Sequence, residues 1–115
     1  MSLKAISEAV KELAAQAQTG KISPELLSGA SFTVSNLGSF GIESFTPVIN
    51  PPQTGILGVN TVQTKIKVAD GELVPYQSMG LSLTYDHRAV DGAPAARFLQ
   101  ELCRTLENFT ALLAK

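Results

Sequence analysis

One stretch concentrates the chemistry of this chain: Tyr85-Asp86-His87-Arg88-Ala89-Val90-Asp91-Gly92-Ala93. It holds the only histidine of the 115 residues, set between an acid and a base. A lone histidine is more often a hydrogen-bonding structural residue than a catalyst. Two features favour proton transfer here. An imidazole in water titrates at about 6.5, which makes it the side chain best suited to moving protons near neutral pH. The histidine also lies in a charged cluster directly after an apolar strand, company that a structural residue does not need. Cys103, the only cysteine, does not compete for the role. It falls in the spacing Phe98, Leu99, Leu102, Cys103, Leu106, one face of a helix, and reads as a core residue. A single cysteine excludes an internal disulfide and fits a reducing compartment. With one histidine and one cysteine, no zinc site built by this chain is expected.

The elements that position His87 follow from periodicity. Met79, Leu81, Leu83 and Tyr85 alternate with Gly80, Ser82 and Thr84, the period of a strand with one buried face. Beyond the loop, Pro94 opens a helical spacing through Phe98, Leu99, Leu102, Leu106, Phe109 and Leu113. Asp91 stands just upstream, at the positive end of that helix dipole. His87 is therefore expected where a buried strand runs into a tight loop before a helix, fixed on both sides yet reachable. If strand geometry persists, Asp86 points away from His87, so a loop-fixing ion pair with Arg88 is expected of it rather than an orienting bond to the imidazole.

Upstream, Leu3, Ile6, Val10, Leu13, Ala14 and Ala17 recur at helical steps up to Gly20. Residues 21–29 read as a linker in which Ser23-Pro24-Glu25 starts one short helical turn. Residues 31–36 alternate as a strand, with Phe32 and Val34 on one face and Thr33 and Ser35 on the other. Taken alone, Ser35 reads as a hydroxyl on a solvated strand face. Asn36-Leu37-Gly38-Ser39-Phe40-Gly41 is a glycine-rich loop that matches neither G-x-G-x-x-G nor a Walker pattern, and reads as a tight turn. Further strands are expected at 45–49, closed by Asn50-Pro51-Pro52, and at 54–62. A hairpin over 65–76 turned by Asp70-Gly71 and a strand over 77–85 complete the pattern. The sum is a mixed α/β (α+β) layer of a helix, about five strands and a helix, one domain in size.

Composition excludes several classes. Apolar residues make up 44% and charged residues 17%, with a net charge of −1 and scattered Lys and Arg. No basic patch for nucleic acid is visible, nor a polybasic membrane signal. No run approaches the roughly 18 apolar residues of a membrane span, and Met1-Ser2-Leu3-Lys4 enters a helical pattern without a signal peptide. A cytoplasmic location, or the mitochondrial matrix in a eukaryote, is expected.

D-H-R-x-x-D-G near a C-terminus resembles the signature of the dihydrolipoamide acyltransferases, the core enzymes of 2-oxo acid dehydrogenase complexes. The likeness runs through the whole chain. Ser31-Phe-Thr-Val-Ser-Asn-Leu-Gly38, Pro47-Val-Ile-Asn-Pro-Pro-Gln53, Gly55-Ile-Leu-Gly58 and Leu81-Ser-Leu-Thr-Tyr-Asp-His-Arg88 follow in the family's order. The resemblance covers roughly the C-terminal half of the family's catalytic domain, so 1–115 is expected to be that part, without lipoyl or peripheral-subunit-binding domains. It implies the chloramphenicol acetyltransferase-like fold, a mixed sheet flanked by helices, assembled as trimers that build large cores. The implied active sites lie in channels between neighbouring subunits. The implied reaction moves an acyl group between the thiols of dihydrolipoamide and coenzyme A, both substrates, in concert with the other components of the complex.

The resemblance also assigns roles. A thiol at about 8.5 is mostly protonated at pH 7, and its transfer to an imidazole at about 6.5 is uphill by roughly 2.7 kcal/mol, within reach of a positioned base. His87 is the candidate base. Ser35 matches the family's hydroxyl donor to the tetrahedral oxyanion, and Asp91 matches its second signature residue, with an orienting or structural role. Chloramphenicol acetyltransferases carry a second histidine just before the catalytic one; Asp86 stands there here, which favours the dihydrolipoyl branch. Ser35-Asn36-Leu37-Gly38 and Asp91-Gly92-Ala93 resemble the acetyl-transferring branch more than the succinyl or branched-chain ones. The rival class is a catalytically incomplete fragment or structural core subunit, against which the retention of His87, Asp91 and Ser35 argues. A strand at 54–62 that is apolar on both faces expects cover on both sides. Two amphipathic helices supply little of it, so self-association or pairing with a complementing N-terminal half is expected.

Overall fold

In the computed structural model, which describes residues 1–113, the chain falls into two units, Met1–Ala30 and Ser31–Lys115. The first unit is helix α1 (Leu3–Gln18) and a single 3-10 turn (Pro24–Leu27). Ser2 caps α1, its Oγ accepting from Ala5 N at 3.1 Å. Gly20, at φ 71°, follows the helix end expected there.

The second unit is a three-stranded sheet in the order β1 (Thr33–Asn36), β2 (Gly55–Ala69), β3 (Glu72–Tyr85), followed by α2 (Gly92–Glu107) and α3 (Phe109–Leu113). β1 runs parallel to β2, and β2 pairs antiparallel with β3. Asp70 and Gly71 join the long hairpin with φ values of 52° and 77°, the sign that a two-residue type I′ turn demands. The mixed α/β layer holds, with three strands rather than five. Residues 54–62 and the first hairpin arm are one strand, as are the second arm and 77–85, because the ladder continues past a bulge between Val59 and Val62. What ends near Val62 is burial, not pairing.

Residues 45–49 form no strand. They cross the sheet as irregular chain, and Phe45 and Pro47 sit over Gly58, whose absent Cβ would stand 2.8 Å from Phe45 Cζ. Just upstream of this segment the backbone is anchored, since Thr61 N donates to Ile42 O at 2.8 Å. The cover that β2 needs thus comes from this segment on one face and α2 on the other, where Phe32 and Phe98 meet edge to face at 6.2 Å. The terminal helix also breaks: Asn108 ends α2, its N–H and Nδ2 both donating to Arg104 O, before α3 begins.

Little of this is deeply buried. Among the described residues the buried hydrophobic side chains are Ile56, Leu57 and Ala95, joined by Pro47. Asn60 is buried with them, Nδ2 donating to Gly80 O at 2.9 Å while Oδ1 has no partner among the described residues. The apolar side chains of α1 and of the distal hairpin stay exposed.

Candidate active site

β3 delivers the site. Tyr85 is its last residue, and the ladder is prolonged by Asp86 N donating to Thr54 O at 2.8 Å. From there the chain turns. Asp86 O accepts from Ala89 N and Val90 N, both at 2.9 Å, and Asp86 Oδ1 accepts from Arg88 N at 3.0 Å. That last bond bridges across His87, so the residues on either side of the imidazole are tied together. The expected ion pair is present and is a fork: Arg88 Nε donates to Oδ1 at 3.0 Å and Nη2 to Oδ2 at 2.9 Å. The guanidinium and the Arg88 backbone N–H hold the Asp86 carboxyl below the usual carboxylate range, and the same pairing raises Arg88.

His87 is exposed and stands at a cleft of about 560 Å³. Ile49, Pro51, Pro52 and Gln53 form one wall, and residues 85–88 the other. The imidazole lies beside the Tyr85 ring, 5.7 Å between centroids at an interplanar angle of 39°. In the turn that follows β3, the His87 ring lies beside Tyr85 while the Asp86 carboxylate faces Arg88.

The other expected site residues lie elsewhere. Asp91 is the N-terminal cap of α2: its carbonyl accepts from Ala95 N at 3.2 Å, and its carboxylate makes no capping bond. Ser35 pairs in register with Gly58, and Gly58 with Ser82, so all three share the sheet face crossed by Phe45 and Pro47. Ser35 is half-buried there, whereas Val34, on the face expected to be covered, is 61% exposed. Ser35 does not line the His87 cleft, and among the described residues no hydrogen bond or ion pair joins His87 to Ser35 or Asp91. The sequence reading missed the proline wall and Gln53. Gln53 Oε1 accepts a hydrogen bond from Thr33 Oγ1, tying the cleft to β1. A long polar side chain directly after two prolines, where the chain cannot continue a central ladder, was the available signal. Among the described residues no group of three or more His, Cys, Asp or Glu side chains converges, and no helix is long and apolar enough to cross a membrane.

Comparison with known proteins gives this arrangement a lineage. The chain is 43% identical over 113 residues to the dihydrolipoyllysine-residue acetyltransferase component of the acetoin cleaving system of Bacillus subtilis, covering 98% of this chain and 28% of that protein. The fold matches dihydrolipoamide acetyltransferase from Azotobacter vinelandii with a TM-score of 0.91 and 38% identity, over 98% of this chain and 46% of that one. That structure addresses the role of a serine, a histidine and an asparagine in the catalytic mechanism. The cubic core of the pyruvate dehydrogenase multienzyme complex matches equally, with a TM-score of 0.91 and 39% identity. The chain thus spans about a quarter of the length of the curated relative and under half of the solved chains. The family model for the catalytic domain of the 2-oxoacid dehydrogenase acyltransferases matches residues 1–114, and the chain belongs to that family.

Proposed function

We propose that this chain serves acetyl transfer between dihydrolipoamide and coenzyme A within the core of a 2-oxo acid dehydrogenase complex, with His87 as general base. The observation that carries the reading is His87 itself: exposed at a cleft, on a loop whose flanking residues are locked to one another. In the A. vinelandii protein the serine, histidine and asparagine are spaced by 52 and 4 residues, as Ser35, His87 and Asp91 are here. The imidazole takes the proton of the incoming thiol as its sulfur attacks the thioester carbonyl. The Ser35 hydroxyl donates to the resulting oxyanion. Collapse expels the second sulfur, which recovers the proton from the imidazolium. Asp91 stands where the relative has asparagine, and a carboxamide there should serve equally as a hydrogen-bonding group at the loop.

Ser35 lies outside the cleft of its own His87, which supports a site completed between chains. The exposed apolar surfaces support the same reading, so the isolated chain is incomplete and transfer requires association with further copies or with polypeptide covering these faces. The residues 1–115 then act as the C-terminal part of the catalytic domain, with the other components of the complex as partners and the cytoplasm, or a mitochondrial matrix, as the setting. The test is transfer from acetyl-CoA to free dihydrolipoamide by the assembled enzyme. His87→Ala is expected to abolish it with assembly intact; activity within about tenfold of the parent refutes the base assignment. Ser35→Ala is expected to lower kcat by about 10²–10³ with little change in KM. A monodisperse 12.2 kDa species with a cooperative melt, seen by light scattering and calorimetry, refutes the requirement for association.

A further inference from the structure

The backbone at Gly92 does not by itself call for glycine. It carries no positive φ, unlike Gly41 or Gly71, and it is the first residue of α2, where any side chain is conformationally admissible. What it supplies is space. A Cβ at position 92 would stand 3.2 Å from Tyr85 Oη, and that hydroxyl is the one group it would meet within 4 Å. The Tyr85 hydroxyl makes no hydrogen bond among the described residues, so the contact is steric. The other end of the relation is the site: the Tyr85 ring flanks the His87 imidazole, at 5.7 Å and 39°. Tyr85 also lines both the His87 cleft and the apolar crevice beneath α2 with Val90, Pro94 and Ala95. It is wedged between the helix start and the imidazole.

We infer that Tyr85 is a positioning residue for His87, and that Gly92 is the seat for its hydroxyl, so that the start of α2 sets the orientation of the imidazole through the tyrosine ring. The Asp86–Arg88 fork fixes the backbone around His87, but leaves the imidazole free to turn about its side-chain torsions. The Tyr85 ring restricts that rotation from one side. A ring pushed by a methyl group at position 92 passes the displacement to the imidazole, and misplacement of a base by a fraction of an ångström is costly in rate.

The inference rests on the reading of His87 as general base, and a rescue experiment in the assembled enzyme separates the two. Gly92→Ala is expected to lower kcat about tenfold with KM within about twofold. In a Tyr85→Phe background, where the obstructing oxygen is gone, the same substitution is expected to change kcat by less than about twofold. Equal slowing in both backgrounds, or slowing in neither, overturns the inference. If Gly92→Ala does not fold, Tyr85→Leu replaces it: the lost ring should lower kcat about tenfold below Tyr85→Phe and displace the pH–rate profile. Identical kcat and profile for the two Tyr85 variants also overturn it. His87→Ala in the same assay tests the base assignment alone. The imidazole C–H resonances of His87, unique in the chain, test the contact alone: they must move on Tyr85→Leu whether or not His87 is the base.

Discussion

At the Asp70-Gly71 end of the hairpin, β2 and β3 keep an unbroken register from Val62↔Met79 to Ala69↔Glu72, yet almost nothing covers them. Val62, Ile66 and Val68 share one face with Met79, Pro75 and Leu73, and the aliphatic ones lie open, Val68 at 71% and Leu73 at 74% exposure. At the other end the same two strands hold Ile56 and Leu57 between α2 and the crossing segment, and there the ladder runs out into the His87 loop. The distal arm is held by hydrogen bonds and turn chemistry. The proximal end is held by packing. Pairing therefore does not predict where a strand is structurally demanding; cover on its faces does, and the His87 loop is anchored where that cover is found.

The sharpest break in that contrast comes from core truncation. Leu57→Ala should cost about 2–5 kcal/mol in denaturant unfolding, and a loss below about 1 kcal/mol would show that the proximal end is not packed as described. Gly58→Ala comes next, at about 1–3 kcal/mol, because the new Cβ must displace Phe45 from its place over the sheet. Gly71→Ala should cost about 1 kcal/mol, for it forces a side chain into a left-handed conformation at an otherwise open turn. Ile66→Thr, on the uncovered arm, should weaken association measured by light scattering while changing unfolding of the associated protein by no more than about 0.5 kcal/mol at matched oligomeric state. A large cost to unfolding there would erase the distinction between the two ends.

The smallest expected effect concerns the loop charge pair. Arg88 lowers the Asp86 carboxyl below its ordinary value of about 3.9. A carboxyl depressed in the folded state stabilises above its unfolded pKa and loses that contribution as pH falls through the folded value. The stability difference between the parent and Asp86→Asn should accordingly stay flat from pH 8 to 5 and close only below about pH 4. A difference that already narrows between pH 7 and 6 would mean another group is involved. For activity, Asp91→Asn should remain within about tenfold of the parent, matching the asparagine of the A. vinelandii enzyme.

Much of the site was legible because its determinants are local. The alternation into Tyr85, the charged loop around a lone histidine, the Asp86–Arg88 pair and the helix after Asp91 all follow from neighbours a few residues apart. The Asp70-Gly71 turn was legible for the same reason. Other readings failed where a distant partner decides. Residues 45–49 have the composition of a strand but no ladder to join, and their apolar side chains serve as a lid on Gly58 instead.

By itself the sequence determined the periodicities, the turns and the chemistry available at residue 87, since each depends on local torsion preferences and side-chain type. It showed that β1 has two faces and pointed to cover over Phe32 and Val34 alone. Tertiary structure covered both faces unevenly, setting Ser35 on the face crossed by Phe45 and Pro47 and Phe32 against Phe98 while leaving Val34 exposed. It also decided that a Cβ at position 92 would stand only 3.2 Å from the Tyr85 hydroxyl, a closeness that needs a strand end and a helix start brought together around the loop. Period-two patterning specifies alternation alone; the sign of the alternation is fixed by whichever distant atoms exclude water from one side.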